Sequence, residues 1–534
     1  MKPMKKQSFL QGAGILAFAT IAVKIIGALY KIPLNNIIGK TGMTYFTHAY
    51  DIYALLLIIS TAGLPVAMSR MIAKAQEEGN LAQVRRINSV SLRVFLTLGI
   101  TGTLVMMLLC KPLASMMGIS DGSIVIFALG PAVLFVCINS SFRGFFQGQT
   151  IMTPTGVSQV IEAACKLVLG LALALLLIKI TDNVVNSVAG AILGVTIGSV
   201  LAFFYLIWQY NRYKPLLNDH GSSKPSASMR NTAMELLQIA IPITIGSAGL
   251  QAISLIDDAL IIHRLTDAAE FTAQAATDIR GLYATAQTLF NLPGSLVIPF
   301  TTSLIPAITG ALALRDRRGA NRIGSSGIRI MTLLILPCGV GLGVLAKPIV
   351  NLLYGSYTEA DVATTGTLLT ILSVAVILNG LVLMLNSIMQ AHGYVSLPVI
   401  NMIVGGVFKV FINFILVGIP SIHIYGAPIG TTTCFLIITA LDIFCINRVI
   451  KDPPKVLKLL VKPIIACAAM GVATYLCYAA LAGLLGAKLA CVAAICVAVA
   501  VYGIMVVVLR IVTWDDCMLL PKGEKIAKLL RIHK

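Results

Sequence analysis

Long apolar runs separated by short polar breaks fill this 534-residue chain from end to end. The runs are too long for core strands or helices and match the roughly 20 residues that cross a bilayer as an α-helix. They predict fourteen spans, at 10–36, 46–73, 87–111, 124–147, 154–179, 186–210, 235–262, 280–312, 323–347, 366–391, 397–419, 424–447, 461–484 and 488–511. The tail 521–534 has Ile526, Leu529 and Leu530 among basic neighbours, the pattern of a short helix lying on an anionic inner leaflet.

The polar break at 210–232 separates two sets of six spans. Arg86, Arg93 and Lys111-Pro112 recur 236 residues later as Arg322, Arg329 and Lys347-Pro348, and Gln147 and Lys166 recur 243 later as Gln390 and Lys409. Ordered matches in equivalent spans indicate a duplication. Six spans per copy give both copies the same orientation, which is a parallel repeat about an axis along the membrane normal. The expected architecture is therefore an all-α integral membrane protein. It comprises an N-terminal six-helix lobe (1–213), a linker (214–231), a C-terminal six-helix lobe (232–450), two additional helices (451–511) and a basic tail (512–534). Paired lobes of this kind suit alternating access, in which the halves rock about a central site. Pro65, Pro242 and the three prolines 293, 299 and 306 of span 8 predict deformable helices.

Composition supports the membrane assignment: 57% of residues are hydrophobic and 11% charged, against about 25% charged in soluble domains. The net charge of +19 invites a nucleic-acid reading. The basic residues argue against it. They cluster at Lys2, Lys5 and Lys6, at Arg85 and Arg86, at Arg212–Arg230, at Arg315–Arg322, at Arg448–Lys462 and at Lys522–Lys534. All fall on one side if every span crosses, so both termini are expected in the cytoplasm of a cell-membrane protein. The eleven cysteines lie mostly in apolar spans without ligand spacing and read as small core residues, with no metal site expected.

Charges inside the spans carry the functional signal. A cation at a helix centre costs roughly 2.5–3.5 kcal/mol on insertion scales, so it marks a water-facing or paired position. Lys24 and Lys31, seven apart, lie near one face of span 1 and would draw a phosphate. Lys24 is deep, whereas Lys31 is near the outer end, where snorkelling competes with a cavity role. Glu162 and Lys166 are i,i+4 in span 5, either as a self-neutralising pair or with Lys166 facing the substrate. Lys409, the repeat-mate of Lys166, has no acidic residue one turn away. Asp257 and Asp258 in span 7 are candidates for binding Na+ or a proton, with hydroxyls or amides such as Asn413 or Thr431–Thr433 as helpers. The competing reading pairs them with Arg264 at the outer edge.

Enzymatic signatures are missing. Gly39-Lys40-Thr41 is not a nucleotide loop, because Leu34 stands where its first glycine belongs, and no HExxH, GxSxG or outer loop with clustered acids occurs. No catalytic residue and no cofactor is expected beyond Na+ or H+ coupling.

The stretches Lys24-Ile25-Ile26-Gly27, Ile38-Gly39-Lys40-Thr41-Gly42 and Ala62-Gly63-Leu64-Pro65-Val66-Ala67-Met68-Ser69-Arg70 resemble the multidrug/oligosaccharidyl-lipid/polysaccharide (MOP) exporter superfamily, over the whole chain. The branch is similar to the stage V sporulation protein B and MurJ-like lipid II flippases of Gram-positive bacteria. That resemblance implies a flippase carrying an undecaprenyl-diphosphate-linked saccharide from the inner to the outer leaflet. Lys24 stands where such proteins place a cavity arginine on the diphosphate, and their second arginine falls at Tyr30, one before Lys31. The Arg and Glu of their span 8 correspond here to Thr288 and Asn291, a departure that bears on lipid II specificity. Gln251 and Asp257 resemble a sodium-binding pattern, and spans 13 and 14 a lipid-tail groove. The implied partners are the lipid-linked oligosaccharide, membrane lipids and cell-wall synthesis proteins, with no nucleic acid. The alternatives are a drug/cation antiporter of the same superfamily, against which the span 1 cations argue, and a non-transporting scaffold for cell-wall or spore-coat synthesis.

Overall fold

The computed structural model describes residues 9–61, 63–218, 225 and 227–513, and these form sixteen α-helices, two short 3₁₀ turns and no strand. The expected surface helix at 521–534 lies outside the described residues. Two compact units divide the chain: Met1–Thr266 with Phe271–Gly281, and Asp267–Glu270 with Leu282–Lys534. Eleven of the described helices are long and apolar enough to cross a membrane.

The first unit contains α1 (Phe9–Thr61), α2 (Leu64–Glu77), α3 (Leu81–Leu108), α4 (Cys110–Met116), α5 (Ser123–Gly148), α6 (Thr153–Thr181), α7 (Val184–Asn218), α8 (Met229–Asp267) and the start of α9 (Ala273–Ala313). Predicted spans 1 and 2 meet inside α1. Between them only Gly39 leaves helical geometry, at φ 66° and ψ −172°, a conformation open to a residue without Cβ. The start of α9 docks on this break. Thr41 donates to Asp278, Thr44 Oγ1 donates to the Thr277 carbonyl at 2.7 Å, and Gly281 lies so close to the Lys40 carbonyl that a Cβ would collide with it. Span 2 breaks again at Gly63, which leaves no room for a Cβ beside the Ala240 carbonyl of α8, and restarts in α2 with Pro65 in its first turn. Neither α8 nor α9 is broken by proline: α8 runs past Pro242, and α9 past residues 293, 299 and 306.

Helices α6 and α7 meet through small residues, the usual route to close packing in lipid. Gly194 sits against the backbone of Gly170, and Gly198 against the Glu162 carbonyl, so neither has space for a side chain. This contact fixes the face of α6 that carries Glu162 and Lys166.

The second unit contains the rest of α9, then α10 (Arg317–Val344), α11 (Ala346–Leu353), α12 (Glu359–Ala391), α13 (Ser396–Leu416), α14 (Gly426–Val449), α15 (Val456–Leu485) and α16 (Ala487–Val508). The predicted repeat is visible helix by helix. Asn80 caps α3 by accepting from the Gln83 N–H, and Asp316 caps α10 by accepting from the Gly319 N–H. The breaks after these helices also agree: Leu109 has φ −101°, ψ 17° and Leu345 φ −102°, ψ 22°. Thr150 after α5 and Gly393 after α12 both have positive φ. Helices α15 and α16 have no counterpart; they pack on each other and on α10 and α11.

Candidate functional site

Aromatic residues of α1 build the site around a cation from α6. Tyr30, Phe46 and Tyr50 form a row with centroid separations of 5.9 and 5.7 Å, and the Lys166 Nζ lies 4.9, 5.6 and 4.4 Å from the three ring centres. The negative faces of the rings attract the ammonium, and a partly desolvated contact of this kind contributes about 1–2 kcal/mol. Tyr30 is fully buried and donates its hydroxyl to the Ala191 carbonyl at 3.4 Å.

Glu162 does not neutralise Lys166. Its carboxylate is taken by Arg143 of α5, with Nη2–Oε2 at 3.0 Å, and by Asn139 Nδ2 at 3.0 Å. Arg143 is held in turn by the Ser158 hydroxyl, 2.9 Å from Nε. Among the described residues Lys166 has no carboxylate within 4.0 Å. The self-neutralising reading of the i,i+4 pair is thereby answered: the pair exists, with a different cation.

Lys31 is half-buried one residue from Tyr30, and Lys24 is exposed on the same helix. Lys24, Lys166, Arg280 and Asp51 all act electrostatically on Lys31, and Lys24 also acts on Tyr50. The structure thus brings three of the four predicted substrate-binding lysines into one electrostatic neighbourhood of the first unit. The fourth, Lys409, is half-buried on α13 of the second unit.

Both predicted carboxylates of α8 are buried, Asp257 fully and Asp258 at 9% exposure. Asp258 meets the guanidinium of Arg280, which is itself fully buried, at 2.5 Å. Its carbonyl lies 3.4 Å from His48 Nε2. His48 Nδ1 contacts the Thr44 carbonyl at 3.0 Å. Asp258 therefore pairs with Arg280 of α9. In the second unit, Thr431 shares a hydrogen bond with Tyr283 at 3.0 Å, while the Thr432 and Thr433 hydroxyls donate to carbonyls one turn back at 2.8 and 2.9 Å.

Four contributors were not singled out from the sequence: Arg143, His48, Asp51 and Arg280. Arg280 and Asp51 lie near the ends of predicted spans, where charge is ordinary. Arg143, four residues from the end of predicted span 4, lies in the same kind of position.

Residues 9–311 match the family described as polysaccharide biosynthesis protein. The chain is 27% identical to the lipid II flippase MurJ of Bacillus subtilis (strain 168) over 442 residues, covering 80% of each chain. It is 24% identical over 452 residues to stage V sporulation protein B of the same organism, covering 84% of this chain and 85% of that one. Its fold is similar to the solved structure of lipid II flippase MurJ in an inward closed conformation, with a TM-score of 0.69 at 14% identity, covering 92% of this chain and 98% of that chain. The all-helical transporter fold and the apolar helices make it a multi-pass membrane protein. The match over more than half its length identifies the chain as a member of the polysaccharide biosynthesis protein family.

Proposed function

We propose that the protein is a flippase that moves an undecaprenyl-diphosphate-linked saccharide, lipid II or a related polysaccharide precursor, from the inner to the outer leaflet by alternating access. The observation that carries this reading is the removal of Glu162 from Lys166 by Arg143. It leaves Lys166 to an aromatic cage beside Lys31 and Lys24. Arg280 is met by Asp258, so the three lysines stand against at most one nearby carboxylate, Asp51, and positive charge remains in excess. A diphosphate supplies the matching charge. The same reading places both termini in the cytoplasm. Outward movement of the anion is then favoured by an inside-negative potential, at about 2.3 kcal/mol per charge per 100 mV.

Na+ or H+ coupling through Asp257 and Asp258 belongs to this proposal. No step requires catalysis by the chain itself. The partners are the lipid-linked substrate, bilayer lipids and the cell-wall synthesis proteins that supply or consume the substrate. Complementation tests the reading: expression in a strain depleted of its lipid II flippase should restore growth. Failure at normal expression and membrane insertion would exclude lipid II and leave a related diphosphate-linked saccharide to be tested in the same way.

A further inference from the structure

The second unit contains a cavity of about 300 Å³ between the start of α10, the end of α12 and the chain that follows α14. Its polar lining is Arg317, Asn321, His392, Tyr394, Lys451 and Asp452. The duplication gives this place a counterpart in the first unit. In the first unit, α7 continues past the level where α14 stops, and its Tyr210 and Tyr213 plug the equivalent space. Tyr210 accepts from Asn88 at 3.0 Å, Tyr213 donates to Gln149 at 2.9 Å, and both rings pack edge-on against Phe145, at 5.2 and 5.9 Å.

In the second unit each part of that plug is replaced. Gly324 stands at the position of Asn88, Ile388 at that of Phe145 and His392 at that of Gln149. The helix ends at Val449, Ile450 is extended at φ −101°, ψ 124°, Asp452 has φ 58°, and Pro453-Pro454 prevent helical continuation. The space stays open, and its walls acquire charge. Among the described residues neither Arg317 nor Lys451 has a carboxylate within 4.0 Å. Asp452 turns its backbone carbonyl to the Asn321 amide. His392 donates Nδ1–H to the Ile388 carbonyl at 2.8 Å, which leaves Nε2 to receive a hydrogen bond or, once protonated, to give one. Two cations and a histidine against one carboxylate, with Ile388 and Leu312 also in the lining, suit a small anion with a short carbon body.

We propose that this cavity binds a phosphate-bearing anion, a site separate from the lysine cluster of the first unit. Two sources share that chemistry: the headgroup of an anionic membrane lipid and a soluble phosphate monoester. The test uses the full-length protein, purified and stripped of lipid, with phosphatidylglycerol or phosphatidylcholine added and retention read by native mass spectrometry. A parallel arm reads the thermal shift with soluble glycerol 1-phosphate. Phosphatidylglycerol should be retained over phosphatidylcholine, and R317Q combined with K451Q should weaken retention roughly tenfold or more, the loss of two charge-assisted contacts. Gly324→Leu keeps the charges but fills the cavity. A Cβ there meets Ile388 and Ile308 methyls at 3.7 and 3.9 Å, ordinary contact. This variant should lose the ligand as well. Binding of glycerol 1-phosphate with the same response to both variants would identify a soluble ligand. The proposal is overturned if phosphatidylglycerol shows no preference over phosphatidylcholine and glycerol 1-phosphate also fails to bind, if whichever ligand binds is held equally by the double variant, or if it is lost in the charge variant without loss in Gly324→Leu.

Discussion

Glu162 gives its carboxylate to Arg143 of a neighbouring helix, 3.0 Å away, although Lys166 stands one turn further along its own helix. The choice follows from hydrogen bonding. Arg143 is fixed by Ser158 and presents a planar fork to the carboxylate, while Asn139 fills a second lone pair. Lys166 is thereby left without a carboxylate partner among the described residues.

Removing Arg143 should therefore have two effects. Arg143→Ala strands a half-buried carboxylate, which should lower stability by about 3 kcal/mol and free Glu162 to neutralise Lys166. Adding Glu162→Gln should recover most of the stability. Thermal unfolding in detergent of the two single variants and the double reads both terms. Simple additivity would show that the pair does not act as a unit.

Lys166→Met preserves the aliphatic stem and the packing against Tyr30 and Tyr50 while deleting the charge. Stability should stay within about 1 kcal/mol, because the lost cation–π contact is offset by the relieved burial of an ammonium. Affinity for a diphosphate-linked lipid should fall by roughly tenfold or more, the value of one charge-assisted contact. Equilibrium binding to the purified variant checks this.

Asp258→Asn leaves Arg280 charged and fully buried, and should cost about 3–5 kcal/mol. Replacing both partners with apolar residues, as in Asp258→Leu with Arg280→Met, should be far milder than the single change. Unfolding midpoints of the three proteins decide it. A mild single variant would mean that another group carries the Arg280 charge.

Gly281→Ala tests how the start of α9 is seated. The added methyl points into the Lys40 carbonyl, and the forced separation should cost about 1–3 kcal/mol while shifting Arg280 away from Asp258. Equal stability of variant and parent would mean that the two segments are not held in this contact.

Ion coupling at Asp257 predicts that transport depends on Na+ or on a proton gradient and loses that dependence in Asp257→Asn. Translocation rates measured with each ion replaced check it. Transport indifferent both to the ions and to the substitution would remove coupling from the account.

The helices were legible because a bilayer imposes a length and a polarity that no other environment demands. The repeat was legible because Arg86 and Arg322, or Lys166 and Lys409, kept both identity and spacing. The join inside α1 was less so: Gly39 permits a turn in a single residue, and a loop of several polar residues reads the same way in sequence. The candidate lysines stood out because charge in an apolar run is rare. Their partners did not, since Arg143 and Glu162 meet across helices, and Arg280 reaches Asp258 only because α9 docks on the Gly39 break. Pairings between helices depend on packing, which leaves no fixed spacing along the chain.

The most direct test of the proposed phosphate-binding role of the lysine cluster is translocation of labelled lipid II by purified protein in sealed liposomes, comparing the parent with Lys24→Ala and Lys166→Met. The cluster requires the parent to move the lipid and both variants to lose most of that activity while remaining folded. Translocation at the parental rate in both variants would contradict it.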